Sequence, residues 1–284
     1  MILSPELTVV FFGLLASISW GAGDFSGGFA TRRQSVITVV MLSHFVGLLL
    51  YLALAILTQE TVPPVSDLIW GVLAGLSGAV GLGALYSALS AGRMGMAAPI
   101  VGVLAAIIPV IVSIFGSGLP GVLKIIGFGV GIASLWLVSY SGSRVPDRRI
   151  LAMALLAGLG FGFFLVLIDK VESNAVFWPL VAARVASTTA ATAVALLMRQ
   201  PLRPSNVRQG ATITFSGLLD ALANVFFVVA TQTGRLDVAA VTSSLYPAAT
   251  ITLAWLILKE RIGRLQLIGI AAALLAIILI SLPA

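Results

Sequence analysis

Long, continuously apolar runs follow one another along the whole chain, with only short polar segments between them. Sixty per cent of the residues are hydrophobic and 9% are charged, whereas a soluble domain carries about 25% charged residues. Such a chain cannot cover itself with polar surface, so we expect most of its surface to face lipid. The runs lack the apolar-polar alternation of membrane β-strands. The sequence therefore predicts an all-α integral membrane protein.

The length of the runs predicts ten transmembrane helices, because a helix needs about 20 apolar residues to cross a bilayer. Proline-rich and glycine-rich segments such as Pro63-Pro64 and 201–204 separate them. The predicted spans are Leu7–Thr31, Val36–Leu57, Leu68–Ala91, Ala97–Gly116, Gly121–Ser141, Ile150–Lys170, Ala175–Met198, Gly210–Thr233, Val238–Leu258 and Arg264–Leu282.

One short stretch occurs twice. Residues 92–98 read GRMGMAA and residues 234–240 read GRLDVAA, an offset of 142 in a chain of 284 residues. Gly75-Leu76 and Gly217-Leu218 match at the same offset, which indicates an internal duplication. We therefore predict two five-helix repeats, residues 1–142 and 150–284, joined by a linker at 143–149. Because five is odd, the second repeat enters the membrane in the opposite sense, and the repeats are inverted.

Basic residues predict the orientation. They concentrate in the loops that follow spans 1, 3, 5, 7 and 9, and cytoplasmic loops carry an excess of Lys and Arg. Both termini are therefore predicted to be non-cytoplasmic, in a multi-pass protein of the cell (inner) membrane. The basic residues on the predicted cytoplasmic face are Arg32, Arg33, Arg93, Arg144, Arg148, Arg149, Arg199, Arg203, Arg208, Lys259, Arg261 and Arg264; the other face has Lys124, Lys170 and Arg235.

Several function classes lack the residues that they need. The sequence has no basic stripe with interleaved aromatic residues, the pattern that would indicate nucleic-acid binding. The chain has one His and no Cys, so we expect no zinc-hydrolase motif of the His-Glu-x-x-His type, no metal site and no cofactor. The sequence also has no phosphate-binding P-loop, the motif that would indicate ATP hydrolysis. A secondary transporter is the leading interpretation, and a channel or a structural membrane protein is the alternative.

Two stretches of the second half resemble a known family. Leu245-Tyr-Pro-Ala-Ala, then Trp255-Leu-Ile-Leu-Lys-Glu260-Arg-Ile, is similar to the run from span 9 into span 10 of EamA-like transporters in the drug/metabolite transporter superfamily. Phe177-Trp-Pro-Leu-Val-Ala-Ala-Arg184 resembles their span 7. The first half departs from these motifs: Gly118 stands where Glu260 does. The resemblance implies a central cavity lined by spans 1, 3, 4, 6, 8 and 9, and transport, often export, of amino acids or drugs.

Polar residues at membrane depth are the candidates for solute binding or coupling, because an ionisable group at the bilayer centre costs about 2.5–3.5 kcal/mol. Asp220 and Asn224 share a face of span 8 and are candidates for an amine-binding or proton-carrying site; a structural hydrogen bond is the alternative. Asp24 and Trp20 offer a carboxylate and an aromatic wall to a cation, unless Asp24 pairs with Arg32 or Arg33.

The remaining candidates also have structural alternatives. Arg184 is expected to neutralise Asp220 or Asp24 or to receive a solute carboxylate, and an interfacial or structural pair is the alternative. His44 titrates near neutral pH or makes a structural hydrogen bond. Span 9 is expected to be kinked before Pro247. The other candidates are Ser243, Ser244 and Tyr246 on span 9, and Tyr86 on span 3, which lines the cavity or belongs to an interfacial belt. We expect a small-molecule solute and the lipid bilayer as partners, with protons as a candidate coupling ion, and either a monomer or a homodimer.

Overall fold

The computed structural model describes residues 4–90, 94–139, 148–258 and 263–281. Within these ranges, helices are joined by turns and short links, and no strand occurs, as the sequence predicts. The helices are α1 (Pro5–Ala30), α2 (Val36–Leu57), α3 (Val65–Ser90), α4 (Met94–Ser117), α5 (Val122–Ser139), α6 (Arg148–Ile168), α7 (Phe177–Leu197), α8 (Val207–Thr233), α9 (Leu236–Ser243), α10 (Tyr246–Leu258) and α11 (Arg264–Ser281).

The predicted spans match these helices, except that the ninth is divided. Helices α1, α2, α3, α6, α7 and α8 are long and apolar enough to cross a membrane, and α4, α5 and α11 contain shorter apolar stretches. The chain is therefore a multi-pass, all-helical membrane protein. Some predicted features lie outside the described residues: 91–93 of the first repeated stretch, 143–147 of the linker, and 259–262, which includes Glu260.

Local signals explain where several helices begin. Ser4 caps α1, its hydroxyl accepting a hydrogen bond from the Leu7 backbone N–H, and Pro5 occupies the first helical position. Asn206 caps α8 in the same way through the Gln209 N–H. Each cap satisfies a backbone donor that the first helical turn leaves unpaired.

The ninth predicted span consists of two helices. Ser244 and Leu245 lie in a turn between α9 and α10, and Pro247 is the second residue of α10. Proline lacks a backbone N–H and is tolerated in the first turn of a helix but not in its interior. The predicted kink is therefore a complete break at membrane depth, where irregular backbone is tolerated only beside protein or a cavity. Ser244 is 2% exposed, so protein and the cavity described below surround this break.

The helix packing follows the sequence duplication. Helix α1 packs against α8, and α3 packs against α6, which is the same pairing after the two halves are exchanged. Likewise α2 contacts α8 as α7 contacts α3, and α4 contacts α6 as α9 and α10 contact α1. Helices α2 and α7 contact each other, as do α5 and α11. The two halves thus form one intertwined bundle.

Glycines allow the closest approaches in this bundle. Gly71 and Gly75 lie directly against the backbone carbonyls of Pro179 and Ala183 on α7, where an added Cβ would overlap the carbonyl oxygen. In lipid, where little hydrophobic force drives helices together, such small-residue contacts supply van der Waals packing. The Gly-x-x-x-Gly pair on α3 therefore fixes the position of α7.

Hydrogen bonds tie loops together at one end of α7. The Glu60 carboxylate, between α2 and α3, accepts from the backbone N–H groups of Val176, Phe177 and Trp178 at 2.7–3.2 Å. The Trp178 indole donates to the Glu60 carbonyl at 2.8 Å. Because these N–H groups begin α7, the carboxylate satisfies donors that the helix cannot and lies at the positive end of its dipole.

A different set of groups ties the loops at the opposite end of α7. Gln34, between α1 and α2, donates to the Arg203 carbonyl at 3.2 Å and accepts from the Ser205 N–H at 3.0 Å. The Thr38 hydroxyl donates to the Pro201 carbonyl at 2.6 Å. This connection uses neutral groups, whereas the connection at Glu60 uses a carboxylate.

The link after α6 contains a partly buried carboxylate. Lys170 is exposed, whereas Asp169 is partly buried. Burial, the larger effect, raises the pKa of the Asp169 carboxyl to about 6, and the positive charge of Lys170 acts in the opposite direction.

Candidate functional site

A central cavity lies among helices of both halves. Its polar wall consists of Trp20 and Asp24 from α1, His44 from α2, Arg184 from α7, Asp220 and Asn224 from α8, Ser244 from the break, and Tyr246 from α10. Its apolar wall comes from Gly78, Leu82, Ala105, Phe161, Phe164 and Leu165. Besides the spans that the family resemblance implies, α2 and α7 contribute to the wall, and each contributes an ionisable side chain.

Arg184 and Asp220 form an ion pair across the α7–α8 contact. The side chain of Arg184 is 9% exposed and that of Asp220 is 20% exposed, so the pair is largely removed from solvent. The guanidinium also lies 5.9 Å from the centroid of the Tyr51 ring, and the Tyr51 hydroxyl donates to the Ala221 carbonyl at 2.9 Å. Of the alternatives for Arg184, the structure adopts the internal pair with Asp220.

Asn224 lies one turn further along α8 and bonds to the backbone of Asp220. Its side-chain amide donates to the backbone carbonyl of Asp220 at 2.7 Å, and the residue is 3% exposed. An amide that bonds to the preceding turn of its own helix fixes its own rotamer. Asn224 therefore presents its remaining polar atoms to the cavity in one orientation.

Asp24 is the carboxylate that the protein leaves uncompensated. In the described part of the chain it makes no hydrogen bond or ion pair, and the predicted alternative of a pair with Arg32 or Arg33 is not formed. It lines the cavity together with Trp20, whose ring packs 5.9 Å from that of Phe227. A carboxylate beside an aromatic wall in a desolvated space is suited to a cation.

Two further polar atoms in the wall lack partners. The Nδ1 atom of His44 and the hydroxyl of Tyr246 are buried and have no hydrogen-bond partner among the described residues. His44 therefore does not make the expected structural hydrogen bond through Nδ1. Buried polar atoms without a partner are uncommon in proteins, and at a cavity wall they are groups that a bound molecule or water satisfies.

Two predicted candidates lie outside the cavity wall. Tyr86 is 1% exposed and its hydroxyl lies 3.4 Å from the Ser216 hydroxyl, in space that Gly27 leaves open. It is therefore neither an interfacial nor a cavity residue, but joins α3 to α8 in the core. Ser243 is fully buried, and its hydroxyl donates to the Ala240 carbonyl of its own helix at 3.2 Å.

Sequence reasoning missed Tyr51, Phe161 and Phe164. Tyr51 is fully buried beside the ion pair, and a hydroxyl within an apolar span is a signal that could have identified it. The two phenylalanines resemble any other apolar residue of α6 in sequence. Only the packing of α6 against α3 and α4 places them in the cavity wall.

The cavity is narrow. The space open to the centres of water molecules is about 50 Å³, and one water needs about 10–15 Å³ of such space. An organic solute therefore requires the surrounding helices to move apart. Within the described residues, no group of three or more His, Asp or Glu side chains could hold a metal ion.

Comparison with known proteins assigns the bundle to a family. The model of the EamA-like transporter family matches residues 7–140 and again residues 148–282. The chain belongs to the EamA-like transporter family. The two matches divide the chain as the internal duplication does, so the family architecture of two repeats is present.

Comparison with individual proteins adds information on the fold alone. A solved protein crystal structure superposes on the chain with a TM-score of 0.77, covering 95% of each chain at 15% sequence identity. None of the curated proteins matches the sequence. EamA-like proteins are membrane transporters of the drug/metabolite type, and the shared fold does not identify the solute of this one.

Proposed function

We propose that the protein is a secondary transporter that moves a small organic solute, amino-acid-like or drug-like, out of the cell by alternating access. The membership of the family supports transport, and the cavity between the two halves supports the location of the site. The observation that most directly supports the proposal is that charged side chains from α1, α7 and α8 meet in one desolvated space. Charges at membrane depth are costly and are retained at solute and ion pathways.

The charges of the cavity favour a solute with a basic nitrogen. Arg184 and Asp220 neutralise each other, so Asp24 leaves the cavity with one excess negative charge when all three are ionised. An ammonium group beside Asp24 would remove this excess and would lie against Trp20. Asp220, which the sequence favours as the binding carboxylate, is proposed instead to hold Arg184 in place.

A proton is the alternative partner of Asp24. Protonation also removes the excess charge, so export of the solute in exchange for an entering proton is a candidate coupling mode. In this scheme, Asp24 binds either the proton or the ammonium group, and the two compete for one carboxylate.

The architecture that we propose for transport is ten spans in two inverted halves. Three sets of hydrogen bonds between loops support it: the loop at Glu60 with the loop before α7, the loop at Gln34 with the loop after α7, and Arg235 with the Gly118 carbonyl at 2.9 Å. When ten spans alternate in direction, the two loops of each set lie on the same membrane face.

Flux into proteoliposomes tests the proposal. A panel of amino acids, apolar amines and neutral analogues of the same size is offered with and without a pH gradient. We expect saturable flux of amines and a loss of at least tenfold in Asp24→Asn. Flux that prefers the neutral analogues, or that does not saturate, would contradict a carboxylate-centred transporter.

The control for this experiment is Glu172→Gln, which removes a carboxylate of the exposed loop before α7. It changes the net charge of the protein as Asp24→Asn does, and it leaves the cavity intact. We expect its flux to equal that of the unmodified protein. If Glu172→Gln lowers the flux as strongly, the effect of Asp24→Asn does not arise in the cavity.

A further inference from the structure

A second cavity, here called the lateral groove, opens between α2, α3, α6 and α7. It has a volume of about 600 Å³ and its wall is mostly apolar. Small residues create it: Ala79, Gly83 and Ala84 on α3 face Ala190 and Ala191 on α7. A Cβ added to Gly83 would meet no atom within 4 Å, so the space beside Gly83 is empty of protein.

The lateral groove is separate from the central cavity. Both contain residues of α3, but Gly78 and Leu82 line the central cavity, whereas Ala79 and Gly83 line the groove. Helix α3 therefore separates the two spaces. Ligand pockets for molecules of drug size measure about 300–1,000 Å³, and the groove lies in this range.

One end of the groove is polar and lies at the helix ends. Ser35 precedes α2, and Gln200 follows α7, and both contribute to its wall. Ser87 in the last turns of α3 also lines it, and Met153 near the start of α6 completes this end. The remaining wall runs along the apolar faces of the helices, towards the middle of the bilayer.

Several arginines are close in sequence to the residues that line this polar end. Arg32, Arg33 and Arg199 are exposed in the loops that begin α2 and follow α7, and Arg148 is exposed at the start of α6. The segments 31–35 and 199–206 contain no acidic residue. Arginine binds phosphate oxygens in a bidentate manner, and basic clusters beside transmembrane helices attract anionic lipids.

From this arrangement we propose that the lateral groove binds an anionic phospholipid, with an acyl chain between α3 and α7 and the phosphate beside Arg33 and Arg199. The occupant follows from the two ends of the groove: an apolar channel that begins at an arginine cluster is complementary to a molecule with an anionic head and a long apolar tail.

Native mass spectrometry of the protein purified from mixed micelles tests this proposal. The micelles contain equal amounts of phosphatidylglycerol and phosphatidylcholine, which differ in net charge at the same chain length. We expect the unmodified protein to retain phosphatidylglycerol in preference to phosphatidylcholine. Gly83→Leu and Ala191→Leu, which fill the groove from opposite walls, should each lower this retention at least fivefold.

Two variants provide the controls. Gly129→Leu on α5 also places a leucine where an added Cβ meets no atom within 4 Å, and it should retain lipid as the unmodified protein does. Arg33→Gln combined with Arg199→Gln should abolish the preference for phosphatidylglycerol while phosphatidylcholine is still retained. Equal retention of both lipids by the unmodified protein, or undiminished retention in both groove-filling variants, would overturn the proposal.

Discussion

The two carboxylates of the central cavity differ in whether they have an ionic partner, and this difference determines the role proposed for each. Asp220 and Asp24 both lie within apolar helices, and the sequence alone favours Asp220 because Asn224 follows on the same face. The structure pairs Asp220 with Arg184 and leaves Asp24 without an ionic partner in the described part of the chain. A residue's place on its own helix is visible in the sequence, whereas its neighbours on other helices are not.

The ion pair can be tested by removing its partners singly and together. Arg184→Gln leaves the Asp220 carboxylate buried without a counter-charge, and breaking a buried pair in this way costs about 3–5 kcal/mol. The double variant Arg184→Gln, Asp220→Asn removes both charges and should recover most of this loss. Unfolding in detergent measures the stability of each variant. If the double variant is as unstable as Arg184→Gln, the two charges do not stabilise the fold as a pair.

Asp169 gives a pH dependence that a single substitution removes. Burial raises the pKa of its carboxyl from 3.8 to about 6 in the folded protein, so the fold favours the protonated form. The contribution of Asp169 to stability is therefore fully present below about pH 4, is lost as the pH rises from about 4 to 6, and leaves the fold less stable above that range by about 3 kcal/mol at most.

The variant Asp169→Asn should consequently be more stable than the unmodified protein at pH 7.5, and the difference should disappear near pH 4. Melting temperatures of the detergent-solubilised proteins at the two pH values measure this. Glu172→Gln, in the exposed part of the same loop, should show no such gain. An equal gain in both variants would indicate a general effect of charge.

At the scale of helices, the sequence predicts most of the architecture because lipid restricts the choice. The apolar runs give the helix positions within three residues, since every backbone group at membrane depth must be satisfied inside the helix. The division between α9 and α10 is visible as Pro247. The extent of the break depends on what surrounds it, and here Ser244 and Tyr246 border the cavity, which the sequence cannot show.

The start of α7 depends on a residue that no sequence pattern marks. Glu60 lies more than a hundred residues earlier in the chain, yet its carboxylate accepts hydrogen bonds from three N–H groups of the first turn. Hydrogen bonds to a charged group contribute about 1.5–3 kcal/mol. Glu60→Gln should lower stability by a similar amount and speed amide exchange at 176–178.

Hydrogen exchange followed by mass spectrometry measures this local effect. Glu172→Gln again serves as the control, because its carboxylate accepts no hydrogen bond among the described residues and its side chain is exposed. Exchange at 176–178 that is the same in Glu60→Gln and in the unmodified protein would mean that other contacts hold the start of α7.

At the scale of the whole molecule, the duplication predicts a symmetric scaffold but not a symmetric site. Gly78 and Asp220 are 142 residues apart, as are Leu82 and Asn224, and all four residues line the central cavity. Equivalent positions therefore face the same space with different chemistry. Helices α1 and α2 contribute Trp20, Asp24 and His44 to the cavity. These polar residues offset the asymmetry only in part.

The basic residues of the loops predict the orientation of the protein in the membrane. Hydrogen bonds join the loop at Gln34 to the loop that contains Ser205, and the loop at Glu60 to the loop that contains Glu172. The first pair of loops is rich in arginine and the second is not, so the rule for basic residues assigns the first pair to the cytoplasm.

Single cysteines decide between the two orientations, because the chain contains no cysteine of its own. Ser205→Cys and Glu172→Cys both replace exposed loop residues. A maleimide that does not cross membranes should label Glu172→Cys on intact cells, and should label Ser205→Cys only after the cells are opened. The reverse pattern would invert the orientation, and labelling of both on intact cells would contradict the assignment of the two loops to opposite faces.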